Sequence, residues 1–295
     1  MSKINIRGAL PALITPFDER GEVDVPKLKD FVKWLAPQVN GMYVCGSYGS
    51  GPIMTTKQRK LVGEVVQKEI GDQVPIILHI GDPSTNKTID LAKHAMEIGV
   101  AAIASLTPYY YLHGQNLITL HFKKLIDTVD TPVFLYNNPK YTNYCVNPGQ
   151  MAELAAYGLA GFKDSSTSIQ LFYNVIAAIN NPEFCYLMGS QTMLYPGLGA
   201  GGDGCVSGLS NLFPGLVNDI FDAAEEGNNK KAVALQHEAN ELRSLTGAGI
   251  PVPFYHVALK VLGIDIGQPR LPLVPASDEH VKAIQATMKK YSHLN

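Results

Sequence analysis

The sequence predicts an α/β fold of the (β/α)8, or TIM-barrel, class with additional C-terminal helices. Three observations carry this expectation. Short apolar runs of strand length alternate eight times with longer stretches of helical periodicity. Some of those runs are apolar almost throughout, as strands covered on both faces must be. The G-x-G-x-x-G fingerprint that would follow the first strand of an open dinucleotide-binding sheet is missing. Repeated strand–helix units give parallel strands joined by right-handed crossovers. A barrel of eight such units takes about 250 residues, which this 295-residue chain accommodates.

The elements follow in order. Ala9–Ile14 is the first run, and Val25–Leu35 the first helix, with Asp24 and Pro26 as start signals. Gly41–Cys45 is the second run. The helix Thr56–Glu69 after it is amphipathic through Leu61, Val62, Val65, Val66 and the adjoining Ile70. Val74–Ile80 and Ala101–Leu106 are strands three and four, with helices Thr85–Ile98 and Gln115–Thr128 behind them. Pro132–Tyr136, Leu159–Lys163, Phe184–Met188 and Gly204–Val206 complete the eight strands. Their helices are expected over 147–157, 168–179, 192–198 and 214–226. The remainder reads as helices over 228–245, 253–262 and 278–291. The expected organisation is therefore a catalytic barrel over 1–226 and a helical extension packed on it over 227–295.

Composition narrows the function. With 46% hydrophobic and 17% charged residues the chain can bury a large core. A net charge of -2 without any block of like charge argues against nucleic acid and an anionic membrane surface as partners. No window approaches the roughly 18 apolar residues of a membrane span, and the N-terminus lacks an apolar leader segment, so a cytoplasmic protein is expected. The cysteines, Cys45, Cys145, Cys185 and Cys205, are far apart and read as buried free thiols of a reducing compartment. The histidines show no H-E-x-x-H or other ligand spacing, so no metal is expected. Neither a phosphate loop ending in Gly-Lys-Ser/Thr nor a Gly-x-Ser-x-Gly elbow is present.

In a barrel of this kind the active site lies at the C-terminal ends of the strands. Strand six ends in Lys163, after Leu159-Ala160-Gly161-Phe162. A desolvated lysine there becomes a neutral amine that can attack a carbonyl, whereas most lysines snorkel to solvent or pair with an acid. Tyr136 ends the adjacent strand and Tyr110 follows strand four; a phenol can move protons around an imine, or serve only the core or the rim. The run Gly46-Ser47-Tyr48-Gly49-Ser50-Gly51 can turn N–H groups and a hydroxyl toward an anion, though a plain tight turn would look the same.

Taken together and in order, six segments resemble the N-acetylneuraminate lyase / dihydrodipicolinate synthase superfamily of Schiff-base class I aldolases. They are Gly8–Phe17, the loop 46–49, Thr107-Pro108-Tyr109-Tyr110, Tyr136-Asn137-x-Pro139, Gly161-Phe162-Lys163-Asp164 and Gly202–Ser207. The resemblance spans essentially the whole chain. It implies that Lys163 forms the imine and that Tyr136 shuttles protons. It implies that Ser47 and the Tyr48 N–H hold the pyruvate carboxylate, and that Val206 lies near the pyruvate methyl. Tyr110 would complete a hydroxyl relay, in some members across a subunit interface. It also implies a homotetramer and no cofactor.

The departures from the family pattern concern the second substrate. Tyr48 and Ser50 replace a hydroxyl residue and a glutamate of the loop. Tyr141 stands where dihydrodipicolinate synthases usually carry an arginine. Gly189-Ser190-Gln191-Thr192 lacks the acidic pair of sialic acid lyases. Specificity is expected to rest on Tyr48, Tyr141, Ser165, Gly189, Gln191, Thr192 and Gly208. The expected activity is reversible cleavage of a 2-oxo-3-deoxy sugar acid, or a related 4-hydroxy-2-oxo acid, to pyruvate and an aldehyde. The alternatives are a 4-hydroxy-tetrahydrodipicolinate synthase, a Schiff-base sugar-acid dehydratase or hydratase-aldolase, and a non-enzymatic small-molecule binding protein on the same barrel.

Overall fold

A computed structural model of the chain describes residues 6–246 and 251–294. The outer tips of the two expected segments, 1–5 and 295, lie outside the described residues, as does 247–250. The strands are β1 (Gly8–Pro11), β2 (Met42–Val44), β3 (Ile76–His79), β4 (Ala102–Leu106), β5 (Val133–Asn137), β6 (Gly161–Asp164), β7 (Cys185–Met188) and β8 (Gly204–Ser207). All pair in parallel, in the order β1-β8-β7-β6-β5-β4-β3-β2. A bridge between Ala12 and Tyr43, with Leu13 N donating to Tyr43 O at 3.0 Å, joins β1 to β2 and closes the barrel.

The helices are α1 (Val25–Leu35), α2 (Thr56–Ile70), α3 (Thr85–Glu97), α4 (Gln115–Ile126), α5 (Pro139–Thr142), α6 (Pro148–Tyr157), α7 (Ile169–Ile179), α8 (Leu194–Gly199), α9 (Pro214–Glu225), α10 (Asn229–Leu245), α11 (Val252–Val261) and α12 (Asp278–Lys290). Their starts are set by local chemistry. The Asp24 carboxylate caps α1, and Thr55 and Gln58 cap α2 reciprocally. Asn147 and Ser168 cap α6 and α7. The four-residue α5 goes unannounced by the sequence, because one turn is too short to show a period.

Alternation along each strand sorts the side chains. Phe162, Leu135, Ile76, Leu78 and Cys205 face the helix layer. Leu10, Tyr43, Ile77, Phe134, Tyr136, Leu187 and Val206 fill the barrel interior. Three cysteines are buried as expected, but Cys145 is exposed. It lies between α5 and α6, outside any strand.

Candidate active site

The parity of β6 decides the site. Phe162 packs outward, so Lys163 enters the barrel. There Nζ lies 3.7 Å from the centroid of the Tyr43 ring and 3.8 Å from that of Tyr136. The residue is 4% exposed, and loss of water around the charge lowers its pKa to about 7. The two ring faces attract an ammonium by about 0.5–2 kcal/mol each, which tempers that cost without reversing it. No carboxylate among the described residues forms a salt bridge with Lys163. A neutral amine is therefore available near physiological pH.

Tyr136 is directly opposite Lys163 in the β5–β6 register. Its ring stands edge-on to Tyr43, with centroids 5.9 Å apart. The hydroxyl accepts a hydrogen bond from Asn138 Nδ2 at 2.9 Å. Burial raises the phenol's pKa, while hydrogen bonding to Ser165, Asn138 and Ser47 pulls it back. The strand ends themselves are tied together. Asn137 Nδ2 donates to Asp164 Oδ1 at 2.7 Å, and Ser166 Oγ donates to Asp164 Oδ2 at 2.7 Å. The first bond spans β5 and β6 one residue beyond the lysine–tyrosine pair, and the second holds the Asp164 carboxylate in place.

The loop after β2 is forced into a compact turn. Cys45 and Ser50 both adopt φ of 58°, the left-handed region that non-glycine residues rarely enter. Gly51 N donates to Gly46 O at 3.0 Å, and Thr15 Oγ1 donates to Gly49 O at 2.7 Å. Gly51 packs against the Cys45 carbonyl so closely that a Cβ would collide with it. The turn carries Ser47 and Tyr48 to the barrel mouth.

A cavity of about 360 Å³ opens above Lys163. It is bordered by Lys163, Tyr136, Ser47, Tyr48, Val206, Gly189, Tyr141, Ser165, Gln191, Thr192 and Gly208, all singled out in the sequence. Tyr110 does not join them. It is 86% exposed, with φ of 82°, and its ring packs edge-on against Tyr111. Sequence reasoning missed Tyr43, Asn138, Lys140 and Arg243. Period-2 reading of Gly41–Cys45 against its neighbours would have found Tyr43. Arg243 has no local signal, since it arrives near the end of α10, outside the eight strand–helix units.

The outer wall is held by a separate network. Gln191 Oε1 accepts from Ser207 Oγ at 2.9 Å and from Leu209 N at 3.2 Å, and Gln191 O accepts from Gln236 Nε2 of α10 at 2.9 Å. Tyr48 packs edge-on against Tyr255 of α11 with centroids 5.5 Å apart. Gly208 leaves room for both rings; a Cβ there would collide with each.

An eight-stranded parallel barrel with a desolvated lysine near one strand end and a cavity above it is the architecture of a barrel enzyme with its site at the strand C-termini. The chain belongs to the dihydrodipicolinate synthetase family, whose profile matches residues 5–291. It is 31% identical to an uncharacterised DapA-like lyase of Halobacterium salinarum over 287 residues, 97% of this chain and 94% of that protein. It is 31% identical to a 4-hydroxy-tetrahydrodipicolinate synthase of Methanothrix thermoacetophila over 291 residues, 98% of each chain. The solved dihydrodipicolinate synthase of Thermotoga maritima superposes with a TM-score of 0.92 at 27% identity, covering 99% of this chain and 100% of that one. The chain is a lyase. No helix among the described residues is long and apolar enough to cross a membrane.

Proposed function

We propose that the protein is a pyruvate-dependent class I aldolase that cleaves a 2-oxo-3-deoxy sugar acid, or a related 4-hydroxy-2-oxo acid, reversibly to pyruvate and an aldehyde. The observation that carries this reading is Lys163, buried between two phenol rings with a pKa near 7 and with no acid to pair with. The amine adds to the C2 carbonyl of the 2-oxo acid, and loss of water gives an iminium. A base takes the proton of the C4 hydroxyl. The C3–C4 bond breaks as its electron pair moves into the iminium, leaving an enamine and releasing the aldehyde. Protonation at C3 and hydrolysis return pyruvate and free Lys163.

Tyr136, opposite the lysine, carries the protons in both directions. Ser47 and the Tyr48 N–H receive the pyruvate carboxylate, and Val206 borders its methyl group. Tyr110 acts from a neighbouring copy in a homotetramer. The exposed Tyr110, Tyr111, Leu112, Leu117 and Leu120 provide apolar surface for that assembly. The helical extension from residue 227 packs on the barrel, and the enzyme works in the cytoplasm.

The name of the Methanothrix relative favours a second reading, a 4-hydroxy-tetrahydrodipicolinate synthase. Tyr141, in place of the arginine usual in such synthases, weighs against it.

Borohydride trapping with pyruvate, read by intact mass and peptide mapping, tests the proposal. A reduced pyruvate adduct on Lys163, absent in Lys163→Ala, is the expected result. A folded wild-type protein that gives no adduct removes the imine chemistry. Lys163→Ala is expected to lose on the order of 10⁴-fold or more in turnover.

A further inference from the structure

Asn138 stands at the N-cap of α5, where an asparagine side chain ordinarily accepts from the first backbone N–H groups of the helix. Asn147 and Asn228, at the starts of α6 and α10, do so. The Asn138 side chain does not. Its backbone carbonyl serves the turn instead, accepting from Tyr141 N at 3.0 Å and from Thr142 N at 3.2 Å. The side chain is 5% exposed and borders the cavity, and there Nδ2 donates to Tyr136 Oη at 2.9 Å.

That bond heads a series of hydrogen bonds with a single direction. An amide nitrogen only donates, whereas a hydroxyl both donates and accepts. Ser165, also bonded to Tyr136, spends its one proton on Gly189 O at 3.2 Å, so it accepts from the phenol. The order is Asn138 N–H to Tyr136 Oη, Tyr136 O–H to Ser165 Oγ, and Ser165 O–H to Gly189 O. Ser47, the third neighbour of the phenol, is a hydroxyl and fits either direction. Gly189 permits the arrangement, because a Cβ there would collide with Ser165 Oγ. A buried asparagine against a tyrosine can also be no more than two polar groups satisfying each other. That role makes no demand on direction, and an amide oxygen accepting from the phenol would serve it equally.

We infer that Asn138 is a positioning residue for the proton shuttle: its amide N–H holds Tyr136 Oη as an acceptor and keeps the phenolic proton directed toward Ser165. This rests on the aldolase reading. In that reaction the iminium formed from pyruvate loses a C3 proton to Oη, while Oη passes its own proton to Ser165 and the half-buried Ser165 passes one to water. The C–H electron pair becomes the enamine double bond, and the iminium π pair returns to nitrogen. Negative charge grows on Oη in between, and a hydrogen bond given to that oxygen stabilises it.

The test follows exchange of the pyruvate methyl protons in D2O by NMR, which reads this step without an aldehyde. Borohydride trapping beside it reports Lys163 alone. Asn138→Leu keeps the shape of the side chain and removes the donor; exchange should slow about 10-fold while trapping is unchanged. Asn138→Asp presents only acceptors when ionised and gains an O–H donor when protonated. Its exchange should be slower by about 10²-fold near pH 8, and should recover relative to wild type as the pH falls toward about 5.

A packing role has no such pH dependence, so a variant-to-wild-type ratio that stays flat overturns the inference, as does exchange at the wild-type rate in either variant. Trapping in each variant shows that its barrel is intact, and either variant alone suffices to decide. A wild-type protein that gives no Lys163 adduct removes the aldolase reading and this inference with it. An adduct in every protein with equal exchange rates removes only the role of Asn138.

Discussion

The floor and the outer wall of the cavity are built by different rules. The floor consists of Lys163, Tyr136, Tyr43 and Val206, drawn from four strands of one barrel, buried, and fixed by register. The wall consists of Tyr48, Gln191, Thr192, Lys140, Tyr141 and Arg243, drawn from the segments after β2 and β7, from the short α5 and from α10 outside the barrel repeat. The floor residues sit on paired strands, while the wall residues meet through side-chain contacts such as those of Gln191 with Ser207 and of Tyr48 with Tyr255. Under the aldolase reading, the reacting end of the substrate meets groups fixed by strand register, while the variable end meets segments the barrel tolerates changing.

Three further measurements sharpen or break that division. Tyr136→Phe keeps the ring beside Lys163 and removes only the hydroxyl, so turnover should fall by about 10²- to 10⁴-fold on every aldehyde. A loss confined to one aldehyde would move Tyr136 from the floor to the wall.

Lys163→Met should produce an inactive protein that is more stable than the wild type. A lysine with a pKa near 10.5 when unfolded and about 7 when folded binds fewer protons in the folded state between those values. Wild-type stability therefore rises as pH is raised from 7 towards 10.5, and the full penalty applies below 7. At pH 7 the penalty is about 4 kcal/mol, an upper value for Lys163→Met, and the gap should narrow by pH 10. Denaturant melts at pH 6, 7 and 10 measure it. A gap that does not change with pH would show that the floor is not desolvated. The same protonation gives the pyruvate kcat/KM an acid limb with a midpoint near 7.

Tyr43→Phe should be the mildest change, within about threefold in kcat. The Tyr43 hydroxyl has no hydrogen-bond partner among the described residues, and its ring face lies 3.7 Å from the lysine Nζ. A larger loss would give that hydroxyl a part in proton transfer.

The barrel was legible in the sequence because strands covered on both faces announce themselves as apolar runs, and caps such as Asp24 and Thr55 mark where helices begin. Boundaries moved by one to three residues at most strand ends, as with Ala9–Ile14 against Gly8–Pro11. Ladder pairing, not hydrophobicity, sets those ends. Lys163 and Tyr136 were legible because each closes an apolar run, one residue short of where its strand ends. Arg243 was not, because an arginine in the last turn of a helix looks the same whether it faces solvent or a cavity. Tyr110 is the opposite case. Its position after strand four is right for a barrel mouth, but in one chain the loop turns its ring outward.

Tyr43 has a double duty. It is the residue through which β2 meets the end of β1, and it is also one of the two rings that cover Lys163. Completing the circle of strands and drying the lysine are therefore a single event. The lysine owes its dry surroundings to the finished cylinder.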